Sequence, residues 1–285
     1  MSDIETPMSP KIYLAHHKPL PPRWEQFLCP IRVGNYQDLQ PGAVTDNTGD
    51  HIAAKNREYA ELTALYWIWK NDTTSTHVGF WHYGRWMLPD AQDHQTHLKV
   101  KAVYYKYADW LKLVQAKGPM LTEDAIIKAC AKSDVILPYW EVVQEGTTIE
   151  EQFDALHPAE LREAVYKAFD KLYPDYPSLR NFMQSNNQTI YCNMAILRRD
   201  LLDDYCNFLF PLLTEAEKDP YIESLKTVDP DSFQLNHSRD LRNRGKDPRW
   251  AGCISERLLA YYAANIWMKN KAIKVNYWHM LCFWY

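Results

Sequence analysis

One stretch, residues 46–87, constrains the chain more than any other: DNTGDHIAAKNREYAELTALYWIWKNDTTSTHVGFWHYGRWM. It begins with Asp46, Asn47, Thr48, Gly49 and Asp50, where Asn and Asp tolerate left-handed backbone and Gly adopts it freely, so a turn is expected. Leu62, Leu65, Tyr66 and Trp69 then recur at helical spacing and define one buried face. Glu58 and Glu61 stand near the start of that helix, where acidic groups suit the positive end of its dipole. Lys70, Asn71 and Asp72 close it. Val78 and Phe80 alternate with His77 and Gly79, which fits a short strand. In an open α/β sheet, residues just past the carboxyl end of a strand sit where ligands bind. His82, Tyr83 and Arg85 hold that place if the strand is parallel and central.

The rest of the chain supplies partners for this unit. Residues 1–10 are expected to be a disordered leader. Residues 11–15 (KIYLA) read as a first strand, followed by His16, His17 and Lys18 and a proline-rich turn at 19–22. A first strand ending in polar residues suits a nucleotide-binding α/β domain, and His16 is either a nucleotide contact or a strand cap. Residues 99–119, rich in Tyr and Lys, read as helical, and 124–131 as another short helix. Residues 134–138 (DVILP) form a compact strand stopped by proline. Residues 140–188 read as a helical insertion in which Leu161, Val165, Phe169 and Leu172 make a core-facing stripe. His157, just before Pro158, reads as a local cap. Residues 189–197 (TIYCNMAIL) read as a strand interrupted by Asn193. A buried Asn needs hydrogen-bond partners, so Asn193 either braces a turn or reads a ligand hydroxyl.

Leu201, Tyr205, Phe208, Leu209 and Leu212 mark a helix packed on that strand. Residues 219–248 are polar and carry Arg239, Arg242, Arg244 and Lys246, the pattern of a mobile surface loop, with closure over a diphosphate as the functional alternative. Residues 249–259 open the last long helix, which places Glu256 and Arg257 near its mouth. The tail at 275–285 is nearly all aromatic and apolar. A core strand or a homodimer contact is the first expectation for it, and a peripheral membrane anchor the other.

At 285 residues the chain can bury a substantial core, and the pattern favours one α/β domain over 11–285 with a helical insertion. The net charge of -4 gives no sign of nucleic-acid binding. Six cysteines occur without a Cys-x-x-Cys pair, which fits reduced thiols in a cytoplasmic protein better than a disulfide framework or a zinc site. No signal peptide and no apolar run of membrane-spanning length is read in the chain. Neither a GxGxxG nor a GxxxxGK[ST] pattern is present, so dinucleotide and P-loop chemistry are set aside. The 11 Trp and 19 Tyr suit stacking on sugar rings as well as filling a core.

Four segments in order, GDHIAAKNREYAELTALYWIWKN, HVGFWHYGRWM, YCNMAILRRDLLDDYCNFLFPLL and WAGCISERLL, resemble the bacterial family catalogued as domain of unknown function 4422. The resemblance spans residues 11–265. It implies a glycosyltransferase of GT-A-like fold with a mixed central sheet. The reaction it implies moves a sugar from a nucleotide donor, UDP-linked and in some members UDP-galactofuranose, to a glycan or lipid-linked acceptor in capsule, exopolysaccharide or O-antigen synthesis. The location it implies is the cytoplasm, at the inner face of the membrane. The family pattern His-Tyr-Arg-Arg-Tyr-Phe stands here as His82, Tyr83, Gly84, Arg85, Trp86 and Met87, so one arginine is missing. The family's Ile-Ser is Ile52 and Ala53 here.

Sugar transfer needs a stabiliser for the departing diphosphate and a base for the acceptor hydroxyl. Many such enzymes hold a metal with Asp-x-Asp, but the comparable place here is His82 to Arg85, and the one Asp-x-Asp in a plausible loop is 229–231. Arg85 with His82 is therefore the expected electrostatic clamp. Asp46 and Asp50 keep a Mn2+ or Mg2+ alternative open, with turn formation as their other role. Glu256 is the expected base, with His82 behind it and an ion pair to Arg257 or Arg249 as the competing assignment. Tyr83, Asn193, Arg257, Lys55, Asn56 and Glu61 complete the expected donor pocket. The rivals from other classes are a non-catalytic glycan-binding protein and a polysaccharide-assembly partner.

Overall fold

The structure, a computed structural model, describes residues 8–17, 27–34, 44–89, 102–106, 108, 109, 112, 121–227 and 248–284. In chain order the strands are β1 (Pro10–His16), β2 (Leu28–Arg32), β3 (Val44–Thr45), β4 (His77–His82), β5 (Arg85–Leu88), β6 (Ala102–Lys106), β7 (Val135–Pro138), β8 (Glu141–Val142), β9 (Gln188–Thr189), β10 (Ala195–Arg198) and β11 (Val275–Trp284). The helices are α1 (Asn56–Tyr59), α2 (Leu62–Asn71), α3 (Glu123–Cys130), α4 (Ile149–Leu156), α5 (Ala159–Leu172), α6 (Leu179–Ser185), α7 (Arg199–Ala216), α8 (Pro220–Leu225) and α9 (Trp250–Tyr262), the last running into a π-helical turn at Ala263–Trp267.

Among the described residues, nine strands form one mixed sheet. β3, β2, β1 and β4 lie side by side and parallel. β10 pairs antiparallel with both β4 and β7, so β7 runs in the same direction as β4. β11 lies parallel to β7 and β6 and antiparallel to β5, and β5 returns to β4 through the pair His82 and Arg85. The apolar tail is thus an interior strand. β8 and β9 make a separate antiparallel pair on either side of the helices α4, α5 and α6.

Both faces of the sheet are covered, which is why its strands read as continuous apolar runs. Ile12 and Leu14 point to one face, with Trp81, Ile136, Ile196, Trp278 and Met280, and Ile126 and Cys130 of α3 pack there. Tyr13 and Ala15 point to the other, with Phe80, Leu137 and Leu197, beneath α2, α5, α7 and α9. Each fully buried aliphatic residue here contributes about 1.5–3 kcal/mol over an exposed one. Gly79 is required by this packing, because a Cβ there would lie 2.4 Å from Cδ1 of Ile12 on the paired strand.

The turn from α2 into β4 is held by hydrogen bonds. Asp72 accepts from Tyr13 Oη at 2.9 Å, Ser75 Oγ at 2.6 Å and the amides of Thr74 and Ser75. Arg199, at the start of α7, donates to the carbonyls of Asp72 and Trp69 at 2.5 Å each and to Asp203 at 2.7 Å. It thereby satisfies acceptors that the end of α2 leaves without helical partners.

Four expectations need correction. The single helix expected before Asp72 is two, because Ala60 has φ +49° and breaks it. The strand expected at 189–197 is divided into β9 and β10 by left-handed Cys192 and Asn193, at φ +74° and +49°. Within 99–119, residues 102–106 are a strand: the β-formers Val103, Tyr104 and Tyr105 take up an edge of β11 rather than helix. Within residues 1–10, expected as a disordered leader, Pro10 opens β1 and Ser9 exchanges hydrogen bonds with Thr76, while 1–7 lie outside the described residues. His157 caps the end of α4, its amide bonded to Phe153 O at 2.7 Å. The turn at 19–22, the Asp-x-Asp at 229–231 and the basic cluster at Arg239, Arg242, Arg244 and Lys246 lie outside the described residues.

Replacing Arg199 with Met leaves those carbonyls unpaired. Urea denaturation is expected to show a loss of about 2–3 kcal/mol, since each buried unsatisfied acceptor costs about 1–3 kcal/mol.

Candidate active site

The carboxyl ends of β1, β2, β3 and β4 bring His16, Arg32, Asp46 and His82 to one edge of the sheet. His16 is fully buried there. Tyr83 donates its amide to Ala15 O at 2.9 Å, and its ring meets His17 edge-on at 5.3 Å. Beside β2 and β3 opens a cavity of about 430 Å³ lined by Gly34, Asp46, Asn47, His51, Asn56 and Arg57, among others. That volume lies in the usual range for small-molecule sites, about 300–1,000 Å³. One wall is braced from within: Asn56 Nδ2 donates to Ala60 O at 2.8 Å and Thr63 Oγ1 at 3.1 Å, while Thr63 Oγ1 donates to Asp46 Oδ2 at 2.5 Å. Burial pushes the Asp46 carboxyl above its ordinary value, against the pull of Thr63 and Arg32.

The segment that lines this cavity includes α1 and leads into Glu61, which faces a second feature. The non-glycine residues with left-handed backbone among the described residues, Ala60, Cys192 and Asn193, meet here. His82 Nε2 donates to Cys192 O at 2.6 Å, and Cys192 N donates to Glu256 Oε1 at 2.9 Å. Asn193 Nδ2 donates to Glu61 Oε1 and Ser255 Oγ, both at 2.9 Å. Glu256 Oε2 pairs with Arg257 Nη1 at 2.6 Å, and Arg257 Nη2 reaches Gln152 Oε1 of α4 at 2.8 Å. Gly252 lets α9 approach, because a Cβ there would lie 3.2 Å from Cβ of Ala60. Left-handed non-glycine residues cost about 1–3 kcal/mol each and cluster at functional sites.

Arg85 opens β5 across from Cys282 and stands in the field of Cys192, Cys282, Glu256 and Glu61. Burial holds His82 below the ordinary histidine range; Arg85 adds to this, and Glu61 and the Cys192 carbonyl oppose it. Burial raises Glu256, with Arg257 and the Cys192 amide pulling the other way. The cluster therefore combines an imidazole whose protonation burial disfavours, an arginine and two glutamates at the mouth of the sheet.

A family profile described as Domain of unknown function (DUF4422) matches residues 11–230. The chain belongs to this family. Its structure is similar to that described as the WbbM bifunctional glycosyltransferase apo structure, with a TM-score of 0.72 and 25% sequence identity. The likeness covers 96% of this chain and 45% of that one, so the chain spans just under half the length of the protein it matches. No curated protein matches the chain.

For a DUF4422 chain, the expected site residues fall into three groups. Glu61, His82, Arg85, Asn193 and Glu256 converge in the cluster. Asp46 and Asn56 line the cavity, while His16 and Tyr83 stand at the strand ends. Lys55 and Asp50 are taken up elsewhere, and Arg257 is taken up by Glu256 of the cluster. Lys55 pairs with Glu217 at 2.7 Å and lies over the Tyr59 ring. Asp50 accepts from Tyr66 Oη at 3.2 Å, and Arg257 is buried behind Glu256. The ion pair read as the alternative for Glu256 is thus formed. Asp46 and Asp50 have separate partners, and among the described residues no three His, Cys, Asp or Glu side chains gather as a metal's ligand set. Sequence reasoning missed Cys192, Ser255, Gly252 and Ala60. Three of these act through backbone, and the only hint was the polar interruption at Asn193.

The lowered His82 and His77 predict an acid-sensitive fold. An unfolded histidine binds its proton near pH 6.5, while these two resist it in the fold. Stability is therefore present above that pH and falls as pH drops through it. The raised Glu256 has the opposite sign and loses stability as pH rises through its folded value. Urea denaturation at pH 7.5 and 5.5 is expected to show the decline, reduced in His82→Gln.

Proposed function

We propose that this chain is a glycosyltransferase of GT-A-like fold. It transfers a sugar from a UDP-linked donor, galactofuranose in the reading the family resemblance favours, to a glycan or lipid-linked acceptor of a bacterial surface polysaccharide. The observation that carries the reading is the likeness to a bifunctional glycosyltransferase across 96% of this chain. Supporting it are four parallel strands followed by an antiparallel one, and a cavity beside a charged cluster at the carboxyl edge.

In this reading the cavity at Gly34, Asp46 and Asn56 takes the nucleoside. Arg85, with His82, faces the diphosphate and offsets the charge that develops as it leaves. A fixed donor or cation of this kind is worth about 10²–10³ in rate. The acceptor hydroxyl attacks the anomeric carbon from the opposite side and surrenders its proton to a carboxylate of the cluster, so the sugar is inverted. Among the described residues no helix is long and apolar enough to cross a membrane. A peripheral position at the inner membrane face would bring the site to a lipid-linked acceptor.

Calorimetry and thermal shift with UDP, GDP, CMP and dTDP, each with and without manganese, test this reading. UDP is expected to bind without manganese and to raise stability by about 2.7 kcal/mol at a hundredfold excess over Kd. Arg85→Ala is expected to lose that shift. A shift that requires manganese would overturn the arginine clamp. Silence with every nucleotide would favour a glycan-binding protein.

A further inference from the structure

We propose that Glu61 is the carboxylate that takes the acceptor proton, and that Glu256 is a positioning residue which holds the turn at Cys192 and Asn193. This rests on the glycosyltransferase reading and assigns the roles within its site. The two carboxylates differ in what they already hold. Glu256 has both oxygens engaged, Oε1 by the Cys192 amide at 2.9 Å and Oε2 by Arg257 at 2.6 Å. Arg257 is itself only 3% exposed and anchored to Cys253 O and Gln152, so the pair cannot part without leaving a buried cation alone. A carboxylate so occupied is a structural acceptor.

Glu61 is the less encumbered. Oε1 accepts one hydrogen bond, from Asn193 Nδ2, and Oε2 accepts none among the described residues. Oε2 lies on the side where Gly252 has no side chain: a Cβ there would sit 3.9 Å away. The residue follows left-handed Ala60, which ends α1 and turns the chain so that Glu61 opens α2 toward the cluster rather than continuing along the helix face. The groups that face Glu61 are His82, Arg85, Cys192 and Glu256. Asn193 joins the two roles. Its amide spans Glu61 and Ser255, and its left-handed backbone is held in part because Glu256 and His82 bond the Cys192 amide and carbonyl that precede it. In the transfer step the acceptor oxygen forms its bond to the anomeric carbon as the bond to the diphosphate oxygen breaks. The electron pair leaves with the diphosphate, and the acceptor proton passes to Glu61 Oε2.

The test compares Glu61→Gln, Glu256→Gln and Glu256→Ala in the full chain. Each is assayed for transfer from the nucleotide-sugar that wild type uses, across pH, with nucleotide binding by calorimetry as the control. Glu61→Gln keeps an oxygen for Asn193 but no base. It is expected to lose about 10²–10⁴ in kcat, to lose the acidic limb of the pH–rate profile, and to bind nucleotide as wild type does. Glu256→Ala is expected to lose turnover and to speed hydrogen exchange at the Cys192 amide. Glu256→Gln, which restores an acceptor for that amide but leaves Arg257 without its carboxylate, is expected to recover part of the turnover lost in Glu256→Ala and to keep the acidic limb. The reverse pattern, with the limb lost in Glu256→Gln and kept in Glu61→Gln, overturns the assignment. If wild type neither binds nucleotide nor transfers sugar, the glycosyltransferase reading and the Glu61 role fall together. The positioning role of Glu256 is then decided by exchange at Cys192 alone, and unchanged exchange in Glu256→Ala overturns it.

Discussion

The backbone of Cys192 is gripped at both of its polar groups, its amide by Glu256 and its carbonyl by His82, and much of the molecule is arranged so that this grip can form. Two successive left-handed residues without glycine are unfavourable by about 1–3 kcal/mol each, so the turn persists only where its surroundings over-determine it. His82 comes from the end of β4, Glu256 from α9, Glu61 from the start of α2 and Ser255 from the same helix as Glu256. Three segments separate in sequence must therefore be seated before the turn is stable. Arg257 extends the dependence to α4 through Gln152, which ties the helices between β8 and β9 to the cluster as well.

The double-faced sheet gives that convergence its rigidity. Trp81 is fully buried on one face and Phe80 nearly so on the other, and the next residue along β4 is His82 at the edge. A strand packed on both sides has little freedom to twist, so the imidazole emerges at a fixed place. β10 performs the same service for Asn193, because pairing with both β4 and β7 pins the residues that follow the turn. β11 closes the arrangement by bringing Cys282 against Arg85. The strand directions put the polar residues of β1, β2, β3 and β4 at one edge, the edge where open α/β sheets bind ligands.

Much of this was legible in the residues. The strand at 11–15, the helix face of Leu62 and Leu65, the strand ending at His82 and the family resemblance all follow from local pattern, and the structure and the family match agree with them. Periodicity works there because burial on a repeating face is a local consequence of helix or strand geometry. It failed at Ala60 and at Cys192, where neither residue type announces a positive φ. Alanine and cysteine carry a Cβ that disfavours that conformation, and only long-range partners make it the stable one.

The sequence by itself determined the α/β pattern, the residue types available for chemistry and the membership of a family. Tertiary structure alone decided which of them meet. It spent Lys55 on Glu217 and Arg257 on Glu256, and it joined Glu61 to Asn193 across 132 positions. The physical reason is that a charged side chain takes whichever partner the packed chain brings within hydrogen-bond reach. That choice depends on the crossing of β4, β10, α2 and α9, which local pattern does not encode.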